Sequence, residues 1–375
     1  MTLRESRCGC PHATPAAGAG GEAGDIAPCA CTGGTSLAGA SGTERGPALR
    51  TATGRPSPDR SGGRRAWAEL LRLPALFSVP GDALAGAAAA GARPGARTLL
   101  AIGSSLCLYE AGMALNDWAD RDVDAVERPH RPLPSGRIRP SAALTAACAF
   151  TAAGLALAAR AGRPALTVAA PLAATVWAYD LGLKHTPAGP VAMGAARGLD
   201  LLLGAAASTG RAGPALPSAA LLGTHTVAVT TVSRQEATGG SPLAPLAALA
   251  TTALLTRRVT QRSARPATGR PPADALAPTG PRPVQGGGHA GRPSASALLT
   301  AASAAAYAAT AARPYVHAAL NPSPPLTQRA VGAGIRATIP LQAALAARSR
   351  GTAGALLIAA LAPLGARFAK KVSVT

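Results

Sequence analysis

The chain has 375 residues, 48% hydrophobic yet only 3% aromatic, with a formal net charge of +20. Length allows one or two domains, but a sequence dominated by alanine and glycine lacks the large side chains of a soluble core and suits close helix contacts in a bilayer. The charge does not call for nucleic acid: the arginines lie in a tail, loops and one insert, without zinc-finger spacing or an RNA-binding aromatic pattern, and anionic lipid headgroups explain them better.

In chain order, residues 1–65 are rich in Gly, Ala, Pro, Thr and Arg and have no apolar period. They read as a disordered tail without a secretory signal. Its Cys8, Cys10, His12, Cys29 and Cys31 do not have the usual spacing of a zinc site. A first helix is expected over 66–91, kinked by Pro74 and Pro80. Further helices are expected at 97–119, 140–160, 164–184, 189–208, 214–234 and 242–257. Residues 258–293 form a polar insert of Arg, Pro and Gly, read as disordered. An eighth helix follows at 295–312, then one or two more across 327–347 and 351–368, before a short tail at 369–375. Apolar runs of about 18 to 25 residues can span a membrane. The fold class is therefore an all-α integral membrane protein, with Cys107 and Cys148 as packing residues in apolar runs.

The most informative stretch stands at the end of the second helix, where Asn116, Asp117, Asp120, Asp122 and Asp124 follow a long apolar run. Ionisable residues beside hydrocarbon are costly and mark function. Helical arithmetic puts Asp117, Asp120 and Asp124 within roughly 60° of one another, with Asn116 at the border and Asp122 pointing away. Carboxylates at a helix C-terminus also oppose the macrodipole, so they need cations. A divalent ion such as Mg²⁺ fits oxygen ligands shared with phosphate. Arg128 and Arg131, in the proline-rich turn that follows, suit bidentate phosphate binding.

The pattern from Asn116 to Asp124, followed by Arg128-Pro129-His130-Arg131-Pro132-Leu133-Pro134-Ser135-Gly136, resembles the first aspartate-rich motif of the UbiA superfamily of membrane prenyltransferases. The likeness extends over about residues 66–368. It implies a bundle of about nine transmembrane helices. It implies Mg²⁺ on Asp117, Asp120 and Asp124, and a polyprenyl diphosphate held by Asn116, Arg128 and Arg131 for transfer to an unknown acceptor. Tyr179 and Lys184 resemble the family's diphosphate-holding pair, at a spacing one residue longer than usual. Lys184 also reads as an interfacial anchor. Arg197 and Asp200, three apart, allow either a mutual ion pair or an Arg197 that faces the phosphates.

The family's second aspartate-rich motif has no counterpart at 230–240, where Glu236 is the one acid. Glu236 would replace part of it as a catalytic group, with Arg234 beside it binding substrate. His225 reads either as a site residue or as a buried histidine satisfied by a neighbouring hydroxyl. Ser233-Arg234-Gln235-Glu236 and Val331-Gly332-Ala333-Gly334-Ile335-Arg336 resemble the UbiA-like EboC subgroup. That subgroup is linked to gene clusters that handle or export a small metabolite, which implies partner proteins. Two readings follow: a membrane prenyltransferase, or a non-enzymatic relative that binds or helps export a metabolite or lipid. Both place the protein in the cell membrane as a multi-pass chain. Arginine bias puts the aspartates on the cytoplasmic side, although simple alternation then carries the Arg-rich insert to the outside.

Overall fold

The computed structural model describes residues 60–236, 239–263 and 294–372. The tail up to residue 59 with its cysteines, the insert from 264 to 293, and residues 373–375 lie outside them. Every regular element among the described residues is helical.

The first expected helix is broken into three pieces. Helix α1 spans Arg60–Leu70, a 3₁₀ turn spans Leu73–Ser78, and α2 spans Val79–Ala89. Arg72 adopts φ 47°, ψ 46° at the break, and Pro74 and Pro80 occupy first-turn positions, where a missing N–H costs nothing. Helix α3 (Ala96–Ala119) ends at Asp120, and the short α4 (Arg121–Glu127) restarts immediately. Then come α5 (Pro140–Ala161), α6 (Arg163–Leu181), α7 (Gly189–Thr209), α8 (Leu216–Ser233), α9 (Leu243–Ser263), α10 (Ala295–Leu320), α11 (Pro324–Arg348) and α12 (Thr352–Val372). Helix α9 continues six residues past its expected end, and α10 runs through Pro314 to Leu320. Neighbouring helices can re-satisfy the backbone groups that a proline frees. Six helices (α3, α5, α7, α8 with its preceding turn, α10 and α11) are long and apolar enough to cross a membrane.

The helices alternate in direction, and cross-links between their ends define two ends of the bundle. At one end, Arg72 reaches Asp117, Arg234 reaches the Thr186 carbonyl, and the Gly240 N–H meets the Pro322 carbonyl. This end holds the aspartates. At the other, Thr98 bonds Ser208 and Arg348 bonds Ser218.

Helix α2 is the hub. It is almost wholly buried, and after Val79 and Pro80 it is built of Ala, Gly, Leu and one aspartate. One core cluster joins it to α7–α12, and another joins it to α3, α5, α6 and α7. Its contact with α7 is backbone to backbone. A Cβ at Gly86 would lie 1.9 Å from the Leu201 carbonyl oxygen, and one at Gly204 2.3 Å from that of Ala83. Only glycine permits this approach, which in lipid substitutes packing for the hydrophobic effect that drives soluble cores. Large apolar side chains such as Leu99, Val191, Leu246, Leu298 and Leu356 point outward instead.

Candidate active site

The helix break at Asp120 sorts the aspartates. Asp117 lies in the last turn of α3 and Asp124 in α4, and both are buried. Arg131 Nη1 joins them, at 2.6 Å from Asp124 Oδ2 and 3.6 Å from Asp117 Oδ1. Arg72 Nη2 donates to Asp117 Oδ1 at 2.9 Å, and Arg128 Nη1 stands 3.6 Å from Asp124 Oδ1. Asp120 turns elsewhere: its Oδ1 is 2.6 Å from Lys184 Nζ. Thus Asp117 and Asp124 share a cation, as one helix face requires, while Asp120 does not join them. The reason is local, because Asp120 has φ −89°, ψ 2° and ends the helix on which the arithmetic was based. Asp122 points away as expected, 84% exposed beside Arg121.

Lys184 is not an interfacial anchor. Its side chain is 9% exposed, inside the cluster. Helix α6 stops at Leu181, and a 3₁₀ turn at Leu183–His185 swings the lysine back, which accommodates the extra residue after Tyr179. The same helix end brings Asp180, which sequence reasoning missed. Asp180 is buried and accepts from Asn116 Nδ2 at 3.1 Å. Arg72 was also missed. An acid four residues before a lysine at a helix end was the available signal for Asp180; for Arg72 it was a lone arginine heading an apolar helix in Arg72-Leu73-Pro74, although its reach to Asp117 depends on the break.

Below this layer lies a cavity of about 280 Å³. Arg72, Asn116, Tyr179 and Asp180 form its mouth. Leu108, Met113, Leu172, Val176, Met193 and Ala196 line its apolar wall. Ser105, Tyr109, Arg197 and Asp200 line its polar floor. Arg197 faces the cavity yet pairs with neither a phosphate-side group nor Asp200. Its Nε lies 3.0 Å from Asp82 Oδ2 on the hub helix. Gln342 Nε2 donates to Asp82 Oδ1 at 2.6 Å and to the Ser78 carbonyl at 2.8 Å. Asp200 accepts from the Ser105 hydroxyl.

The turn after α8 contributes less. Arg234 donates to the Thr186 carbonyl and so fixes the α6–α7 loop. Glu236 is half-buried near Arg128; burial holds its carboxyl above the usual range, against the pull of that arginine. His225 is no site residue. It is buried, with Nδ1 3.1 Å from the Tyr307 hydroxyl and Nε2 3.1 Å from the Gly334 carbonyl.

Among the described residues, no three acidic, histidine or cysteine side chains converge as a metal cage. The donor chemistry still fits Mg²⁺, which is commonly held by one or two carboxylates together with substrate phosphates rather than by protein alone. Residues 77–261 match the UbiA prenyltransferase family. That stretch is just under half of the chain and is where its likeness to the family lies. It is 37% identical over 128 residues to digeranylgeranylglyceryl phosphate synthase of Methanopyrus kandleri, covering 33% of this chain and 45% of that one. It is 36% identical over 155 residues to protoheme IX farnesyltransferase of Acidiphilium cryptum, covering 39% and 48%. The chain spans about half the length of these curated relatives. A solved digeranylgeranylglyceryl phosphate synthase structure superposes with a TM-score of 0.51 at 16% identity, over 77% of this chain and 98% of that one, which shows a shared fold. With six helices of spanning length and this match, the chain is a multi-pass membrane protein, and its aspartate cluster, Tyr179, Lys184 and Glu236 all fall within the matched residues.

Proposed function

We propose that the protein is an integral membrane prenyltransferase that moves the prenyl group of a polyprenyl diphosphate to an acceptor held in the bilayer. The observation that carries this reading is the layering of the site: carboxylates and cations at the mouth, apolar walls directly below. Asp117, Asp120, Asp124 and Asp180 lie among Arg72, Arg128, Arg131 and Lys184, four carboxylates to four cations, with Asp180 beside the Lys184 that pairs with Asp120. A diphosphate adds negative charge to a layer already in balance, so it needs further cations in a place where water is scarce.

Mg²⁺ shared between Asp117, Asp124 or Asp120 and the diphosphate would supply that charge and Lewis-acid assistance. Arg72, Arg128, Arg131 and Lys184 would hold the diphosphate oxygens as the allylic C–O bond breaks and charge grows on the leaving group. Stabilising developing charge in a water-poor site is usually the largest catalytic term. Asn116 and the Tyr179 hydroxyl orient the head at the mouth, and Leu108, Leu172, Val176 and Met193 house the start of the prenyl chain. The new bond forms between the prenyl carbon and the acceptor, which gives up a proton, while diphosphate departs. In this reading the cluster faces the cytoplasm.

The test is diphosphate release by the purified full-length protein in detergent, supplied with geranyl, farnesyl or geranylgeranyl diphosphate, Mg²⁺ and a lipid extract. Release is expected to require Mg²⁺ and to vanish in Asp117→Asn. A second reading, a non-enzymatic EboC-like protein that binds or exports a metabolite with partner proteins, is favoured by the sparse turn after α8, where the one acid lies near Arg128. Retention of labelled diphosphate without release would select it.

A further inference from the structure

At the end of the bundle opposite the aspartates there is a second concavity, of about 640 Å³. Pro217 and Leu221 from the start of α8, Leu254, Arg257, Arg258 and Gln261 from the end of α9, and Arg348 from the last turn of α11 line it. Two facts set it apart. No aspartate or glutamate among the described residues stands at this end of the bundle, where the polar residues include Arg97, Arg160, Arg163 and Arg211 as well as those of the concavity. No ion pair to an acid engages Arg257 or Arg258 among the described residues.

The geometry is that of an amphiphile site. Arg257 and Arg258 share a face with Gln261 one turn later and Leu254 one turn earlier, so guanidinium groups stand over an apolar step. Arg348 approaches from the neighbouring helix, steadied by its Nη2 donating to Ser218 Oγ at 3.4 Å. Leu254 is 48% exposed and continues the wall toward the lipid. Helix C-termini favour cations, which explains why arginines tolerate this position but not why three converge on one hollow. Guanidinium groups match phosphate oxygens in a bidentate way, and basic pockets between transmembrane helices suit phosphate headgroups.

We infer that this hollow binds the phosphate headgroup of an anionic membrane lipid, with the acyl chains lying along Leu221 and Leu254. The site is separate from the prenyl-diphosphate reading, since it lies at the other end of the bundle and shares no residue with that cavity.

The test measures lipid retention rather than turnover, so its failure says nothing about prenyl transfer. Full-length protein, delipidated in detergent, is titrated with phosphatidylglycerol, with phosphatidylcholine and with glycerol phosphate, and bound lipid is read by native mass spectrometry. One phosphatidylglycerol per chain is expected, with neither other probe retained. Arg257→Gln with Arg258→Gln should weaken its binding about thirtyfold, from the loss of two surface cations. Arg160→Gln with Arg163→Gln, at the same end but outside the hollow, should leave it unchanged. Arg257→Lys with Arg258→Lys, which keeps the charge, should bind with intermediate affinity and controls for folding. Equal losses in the Arg257/Arg258 and Arg160/Arg163 glutamine variants would overturn the proposal in favour of diffuse charge attraction. Glycerol phosphate bound as tightly as the lipid would overturn it in favour of a soluble phosphate.

Discussion

Asp180 is the residue whose placement most changes the chemistry of the mouth. It holds the Asn116 amide and lies beside Lys184. Asp180→Asn keeps the shape but removes the charge that orients both. Diphosphate release should fall about tenfold or more, equivalent to roughly 1.4 kcal/mol in the barrier, while thermal unfolding in detergent stays unchanged. A normal rate in that variant would remove Asp180 from the site. Glu236→Gln carries a separate expectation. Glu236 is the only acid between Ser233 and Gly240, so a loss of about tenfold is also expected if it replaces part of a second carboxylate motif. Full activity would instead leave Glu236 as a partner of Arg128 alone.

At the scale of elements, two events build the site: the termination of α3 at Asp120, and the seating of α2 against α7. The first sends Asp120 toward Lys184 while Asp117 and Asp124 share Arg131. The second fixes Asp82, and through it Arg197, at the cavity floor. Gly204→Leu would drive a side chain into the Ala83 backbone. Overpacking of this kind typically costs about 1–3 kcal/mol. The variant should therefore unfold at lower temperature in detergent than Gly213→Leu, where an added Cβ meets nothing within 4 Å. Equal melting of the two variants would show that the α2–α7 seam can yield.

For the whole molecule, acids and cations are distributed unevenly. Among the described residues, Glu69, Asp122, Glu127 and the site carboxylates gather at one end, and the other end is basic. Arginines occur at both ends, so the positive-inside rule gives no clear vote once Arg257 and Arg258 near the end of α9 are included. The cytoplasmic placement of the aspartates is therefore best tested by labelling. With the native cysteines replaced, a cysteine at Asp122 should react with an impermeant thiol reagent only in inverted vesicles, and one at Arg211 only in intact cells. The reverse pattern would turn the protein over in the membrane.

The sequence by itself determined the all-helical membrane character, the existence of most helices and the acidic mouth. Apolar runs of spanning length admit few alternatives, and clustered carboxylates beside hydrocarbon need a reason to be there. It also predicted that Asp122 would point away, because periodicity is a local property. Only the tertiary structure decided which cation meets which carboxylate. Arg72 lies 45 residues from Asp117, and Gln342 lies 260 residues from Asp82. Such partners depend on where helices break and how closely backbones approach, and neither is written in the spacing of one segment. The Arg197–Asp82 pair arises from packing around α2, where small residues let several helices converge at once, and the return of Lys184 comes from a 3₁₀ turn held between α6 and α7.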